Sequence, residues 1–276
     1  MPELPEVETV RRGLEGRIVG KRIIETVARR KTLRIPLPEN FSARMTDRRF
    51  ELLERRGKYI LAYLDDSSVL IIHLGMSGRI TLKDSGPLTN GQHDHVVFRM
   101  EDGTVVTYND PRRFGLITLC HTVEVSKHRL LANMGADPLG NEFNGPYLAA
   151  RLKGKHTPIK SALLNQKIVA GLGNIYVCEA LFDAGLSPRR SAHTVQGRRA
   201  ERLVVTIRQV LDRALRAGGS SLRDYVQASG ELGYFQNQFS VYGREGEPCP
   251  NCDCKFTIKR IVQSGRSTFY CAKRQR

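Results

Sequence analysis

At 276 residues, with 40% hydrophobic side chains, the chain has room for two domains and a proper core, which separates it from disordered and low-complexity proteins. Lys and Arg number 44 against 28 Asp and Glu, a net charge of +16, so a polyanion, nucleic acid first, is the expected partner. No apolar run approaches the ~20 residues of a membrane span, and acidic residues stand where a secretory signal would be basic, so the cytoplasm is the expected location.

The chain opens Met1-Pro2-Glu3-Leu4-Pro5-Glu6. Removal of Met1, which a small second residue permits, would leave Pro2 with a free secondary amine. An α-amino group titrates near ~8, so an appreciable fraction is unprotonated at neutral pH. Such an amine can attack a sugar aldehyde carbon to give a cationic iminium, with Glu3 beside it to carry the protons. The plainer reading is that Pro2 and Pro5 stiffen an arm before a helix. Residues 5–16 predict that helix, with Val7, Val10 and Leu14 on one face and Pro5 tolerated in the first turn.

From about residue 22 to 120 the pattern changes to short strands: Lys58–Leu64, Val69–Leu74, His95–Met100, Thr104–Tyr108 and Gly115–Cys120. Asp102-Gly103 between two β-rich runs signals a hairpin. Close-set strands without alternating helices argue for a β-sandwich or barrel. Lys58, in Arg55-Arg56-Gly57-Lys58-Tyr59, starts a strand and either projects into a cleft or is a solvated charge. His73-Leu74-Gly75-Met76-Ser77-Gly78 leaves a strand on a Gly-flexed loop. Alternation would point the imidazoles of His93-Asp94-His95 the same way without supplying other ligands, which favours DNA contact or structure over metal. Asp110-Pro111-Arg112-Arg113-Phe114-Gly115 sets two guanidiniums beside an aromatic. Exposed at a tip, they could grip phosphate or base edges while Phe114 wedges between bases. The same loop could equally carry solvated arginines and a core Phe.

The breaker-rich stretch 135–146 reads as a linker, and helices follow: residues 158–169, a second from Asn174 as N-cap to Gly185, and a third over about 197–217. Gly171-Leu172-Gly173-Asn174 is weak as a nucleotide fingerprint because no strand precedes it; a phosphate cradle and a plain helical corner both remain open. Cys120 and Cys178 sit alone in apolar settings, while Cys249, Cys252, Cys254 and Cys271 crowd the C-terminus and read as metal binding before disulfide.

These ordered motifs resemble the bacterial formamidopyrimidine-DNA glycosylase family along essentially the whole chain. The carrying residues are Met1 to Thr9, Gly57-Lys58-Tyr59, His73 to Gly78, His93-Asp94-His95, Asp110 to Gly115, Gly173-Asn174-Ile175-Tyr176 and Arg266 to Cys271. The resemblance implies an α+β protein. Residues 1–134 would form a catalytic β-sandwich domain, 135–146 a linker, 147–240 a helix-two-turns-helix domain, and 241–276 a β-hairpin finger of zinc-finger type. It implies a bifunctional glycosylase and abasic-site lyase acting on oxidised purines in duplex DNA, with DNA in a basic cleft; a monomer is the default expectation, because nothing in the sequence marks an oligomer interface. By matched position Pro2 is the nucleophile, Glu3 the acid/base, and Lys58 and Arg266 assist β- and δ-elimination. His93, Arg112, Lys155 and Asn174 match DNA contacts; Met76, Arg112 and Phe114 match the residues that fill the space of a flipped nucleotide. The loop from about Gly218 to Tyr234 matches one that closes over the extruded base.

The chain departs from the family at its finger. Cys249 and Cys254 match the first cysteine pair, but the position three after Cys271 holds Arg274. A closed structural zinc site takes four N or S ligands and no His follows His193, so Cys249, Cys252, Cys254 and Cys271 are the expected set, with Cys252 replacing the lost ligand. A zinc-free hairpin that presents Arg266 by packing is the alternative. The rival activities are an oxidised-pyrimidine glycosylase of the endonuclease VIII type and a non-catalytic damage-sensing DNA binder.

Overall fold

The computed structural model describes residues 2–86, 91–220, 233–252 and 256–276. The chain forms two compact units, Met1–Ala132 with Ala217–Gln236, and Asn133–Arg216 with Asn237–Arg276. No helix among the described residues is long and apolar enough to cross a membrane.

The first unit is a β-sandwich. One sheet holds β1 (Ile23–Ala28), β6 (Asp94–Met100), β7 (Val105–Asn109) and β5 (Arg79–Lys83), in that order; the other holds β2 (Phe50–Arg56), β3 (Tyr59–Leu64), β4 (Ser68–His73) and β8 (Leu116–His121). Every pairing is antiparallel. The Asp102-Gly103 hairpin forms between β6 and β7, with Gly103 at φ +88°. Helix α1 (Leu4–Ile18) buries Val7, Val10, Leu14 and Ile18 in one core with Phe50, Ile60 and Ile72 of one sheet and Val96, Phe98 and Val106 of the other. Glu8 fixes the helix to β2, because its carboxylate takes Arg11, Arg12 and Arg55. Burial opposes that charge, but the hydrogen bonds and cations around it prevail and hold the carboxyl below its ordinary range.

After a short helix α2 (Phe41–Met45) in the first unit, the helices belong to the second: α3 (Gly145–Leu152), α4 (Ile159–Leu163), α5 (Asn174–Asp183) and α6 (Arg198–Arg216), with the hairpin β9 (Lys259–Gln263) and β10 (Arg266–Tyr270). Helix α5 is buried from Ile175 to Phe182 and packs on α6 and β10. Residues 135–146 lie within this unit, where Gly135 N donates to Gln166 O and Ala136 bridges Val169. The helix expected over 158–169 stops at Leu163. Beyond it the Asn165 side chain accepts Lys167 N, and Gln166 bonds Leu164 O, Leu172 O and Gly171 N, so side-chain turns displace the helical ladder. Gly173, not Asn174, is the N-cap of α5; Asn174 is its first helical residue.

Candidate functional site

Pro2 and Glu3 are buried at the start of α1, with Glu3 as N-cap. Glu6, three residues on, is where a capping box puts a carboxylate, and its Oε2 accepts Glu3 N at 2.8 Å. Its other oxygen, Oε1, accepts Ser220 N at 2.8 Å and Ser220 Oγ at 3.2 Å. One buried carboxylate therefore fixes the backbone beside Pro2 and also holds the stem of the 218–234 loop. That stem is closed by the Ser220–Tyr234 bridge and by Phe235 N donating to Gly219 O; residues 221–232 lie outside the described residues. The Glu3-x-x-Glu6 spacing is the sequence signal for this role of Glu6.

Lys58 is buried in the two-residue turn between β2 and β3, where Arg56 pairs with Tyr59 and Gly57 takes φ +59°. Glycine at the first turn position with positive φ suits a type II′ hairpin. His73, at the end of β4, lies against Tyr59 with ring centroids 4.7 Å apart. Burial, then the charges of Lys58 and Arg34, push its pKa down to about 4. The imidazole is neutral at physiological pH, and because Nδ1 accepts Gly75 N at 3.0 Å its proton is on Nε2.

Two loops interlock beside this point. Asp110, fully buried, accepts Ser77 Oγ at 2.6 Å and Gly115 N at 2.8 Å, and its carbonyl takes His95 Nε2 at 2.8 Å. Ser77 Oγ in turn accepts Arg112 N at 3.2 Å. A Cβ on Gly75 would strike the Phe114–Gly115 backbone, and one on Gly115 would strike Tyr108 Oη, so both glycines are needed for the close approach. The outcome is a rigid base carrying large apolar side chains outward: Met76 is 37% and Phe114 45% exposed, with the Arg112 guanidinium 4.8 Å from the Phe114 ring centroid. Phe114 is thus not a core residue. His93 and His95 do not share an environment, against the simple alternation: the register shifts between Asp94 and Val96, leaving His93 half-buried and His95 buried.

In the second unit, Arg266 is exposed and follows the Ser264-Gly265 turn, whose φ angles of +48° and +71° fit a type I′ hairpin. Beneath the hairpin, Asn174 Nδ2 donates to Ser267 O at 2.9 Å, and Lys160 Nζ donates to the same oxygen at 2.9 Å and to Thr268 Oγ1 at 2.6 Å. Lys160 has no exposed surface, and Ser161 Oγ is 3.2 Å from Ser264 Oγ, so α4 supports both turn and strand. Tyr242 Oη reaches Asn174 Nδ2 at 3.4 Å. Its backbone is held by Glu179, which accepts Ser240, Val241 and Tyr242 N–H while burial raises its pKa. Lys155 is exposed, its carbonyl taken by His193 N. Lys160 and Glu179 were not found from sequence, where a single charge on an apolar stretch looks the same whether solvated or buried.

The Sγ atoms of Cys249, Cys252 and Cys271 lie within 4.8 Å of one another, with Cys252 and Cys271 3.8 Å apart. Tetrahedral ligands at about 2.3 Å from a zinc ion sit roughly 3.8 Å apart, so this cluster can hold a metal. Cys254 lies outside the described residues. Cys178 is not isolated: it joins Cys249, Cys271, Phe182, Val241 and Ile258 in one apolar cluster. Arg274 donates from Nε to Phe182 O at 3.2 Å and stacks on the Phe182 ring, and a guanidinium offers a metal no lone pair.

Residues 1–117 match the family model of the formamidopyrimidine-DNA glycosylase N-terminal domain, and residues 134–226 match that of its H2TH domain. The chain belongs to the formamidopyrimidine-DNA glycosylase family. It is 58% identical to the formamidopyrimidine-DNA glycosylase of Rhodospirillum centenum and 56% identical to that of Beijerinckia indica, each match covering 100% of both chains. Among solved structures, the Thermus thermophilus MutM (Fpg) protein is similar at TM-score 0.87 and 38% identity, covering 99% of this chain and 98% of that one. A Lactococcus lactis Fpg mutant bound to Fapy-dG-containing DNA is similar at TM-score 0.90 and 36% identity, covering 99% of both chains.

Proposed function

We propose that the chain excises oxidised purines, 8-oxoguanine and formamidopyrimidines, from duplex DNA and then cleaves the abasic strand by β,δ-elimination, acting as a monomer in the bacterial cytoplasm. Once Met1 is removed, the Pro2 nitrogen attacks the sugar C1′, the bond to the damaged base breaks, and the amine becomes an iminium. Glu3 delivers and accepts the protons of ring opening. Lys58 assists loss of the 3′ phosphate and Arg266 loss of the 5′ phosphate. His93, Arg112, Lys155 and Asn174 hold the strand, while Met76, Arg112 and Phe114 occupy the space of the extruded nucleotide and offset part of the few kcal/mol that flipping costs. The observation that carries this reading is the Glu3–Glu6 clamp on the buried N-terminus, because a nucleophile reacts efficiently only when held close to its target.

Borohydride trapping tests it. The chain should form a covalent adduct with lesion DNA, and Pro2→Gly should weaken or abolish the adduct while damage-specific binding persists. An undiminished adduct in Pro2→Gly would point to another nucleophile. The crystal complex of wild-type Lactococcus lactis Fpg with oxidised-pyrimidine DNA, 36% identical, supports a second reading in which oxidised pyrimidines are also substrates. Comparing cleavage of 8-oxoguanine opposite cytosine with that of thymine glycol separates the two.

The finger holds a structural zinc ion in this reading, on Cys249, Cys252 and Cys271 with Cys254 as fourth ligand. Bound zinc would cross-link the loop around residue 250 to the end of β10. Metal analysis of protein purified without added zinc should give about one ion per chain.

A further inference from the structure

We propose that Arg274 is a positioning residue for the β9–β10 hairpin, holding the finger on helix α5 in place of the lost fourth cysteine so that docking no longer depends on bound metal. The inference rests on the role given to Arg266 above. A fourth thiolate would tie the chain after β10 to the metal and only through it to the rest of the finger. Arg274 ties the same stretch directly to α5. Its Nε donates to Phe182 O at 3.2 Å, one of the last carbonyls of the helix, where a cation also meets the negative end of the helix dipole. Its guanidinium stacks 4.9 Å from the centroid of the fully buried Phe182 ring.

The neighbouring residues extend the attachment. The Gln275 side chain accepts Cys271 N at 2.9 Å and donates to Leu186 O at 2.9 Å. Arg276 N donates to Gly185 O, and Arg276 O accepts Ser187 N. The segment 271–276 is thereby bonded to the turn that ends α5, independently of any sulfur ligand. Cys271 is both the residue after β10 and a member of the sulfur cluster, so holding this segment also holds the strand that begins at Arg266.

The test uses the full-length chain, wild type and Arg274→Ala, each before and after stripping with a zinc chelator. Hydrogen exchange of the 266–270 amides and the ratio of δ- to β-elimination product on abasic-site duplex are read together. Stripped wild type should keep its amide protection within about threefold and still form δ product. Stripped Arg274→Ala should lose protection at least tenfold and stop at β product, with re-added zinc restoring both. Arg274→Lys, which keeps a donor but not the flat stacking group, should fall between them. If either protein is purified without metal, the comparison is read directly. Collapse of protection in stripped wild type, or its retention in stripped Arg274→Ala, would overturn the proposal. Arg266→Ala in untreated protein separates the underlying reading: if that variant still makes δ product, the role of Arg266 fails, while the exchange data still judge the clamp.

Discussion

Burial, with the charges of Lys58 and Arg34 behind it, keeps the His73 imidazole neutral down to about pH 4, well below the 6.5 of a free histidine. Between those values the unfolded chain binds a proton that the folded chain refuses. This contribution to stability is therefore complete above pH 6.5 and is lost as the pH falls toward 4, by roughly 3 kcal/mol for a group so buried. The Glu8 carboxyl, held below its ordinary range, loses its contribution only further down, below about pH 4.5. Urea midpoints should thus drop between pH 6.5 and 4.5 in the wild type, and His73→Gln should flatten the drop. An unchanged slope in the variant would mean that the imidazole is not the titrating group. His73 was visible in sequence only as part of a motif; its neutrality depends on Lys58, 15 residues earlier in the chain, and on Arg34, which no local pattern connects to it.

Elements whose cause is local were legible. The period of Val7, Val10 and Leu14 predicts α1, and Asp102-Gly103 predicts the β6–β7 turn, because backbone conformation at those points is decided by neighbouring residues. Elements whose cause is a distant partner were not. The stop at Leu163 is made by Gln166 reaching across to Leu172 and Gly171, and the burial of Lys160 by a hairpin more than 100 residues away. The interlocked Gly75 and Gly115 loops belong to the same class, since each glycine reads alone as ordinary loop flexibility. A methyl on Gly115 would have to displace Tyr108 Oη and the His73 carbonyl, neither of which is the loose end of a flexible side chain. Gly115→Ala should therefore destabilise the first unit by about 1–3 kcal/mol and lower the affinity for a flipped lesion, since Phe114 stands on that loop. Thermal unfolding with lesion-binding titration checks this, and a stability equal to wild type would show that the loops have room to separate.

A charge of +16 says that the molecule attracts DNA but not which cations meet it. The structure separates them by pairing. Arg12, Arg17, Lys21, Arg99, Arg213 and Arg216 each face a carboxylate of the same chain. Arg112, Lys155 and Arg266 have no ion-pair carboxylate among the described residues. A cation already neutralised within the protein releases few counterions from DNA; one facing only solvent releases close to a full complement. Each phosphate contact contributes about −0.9 to the slope of log affinity against log salt. Lys155→Ala should accordingly shallow the slope by about 0.9 and weaken binding to damaged and undamaged duplex alike. Arg213→Ala, which removes a charge already matched by Asp183, should leave the slope unchanged. Fluorescence anisotropy over a salt series resolves the difference. Equal slopes for both variants would mean that affinity comes from net charge as a whole and not from particular cations, such as Lys155, that face phosphate.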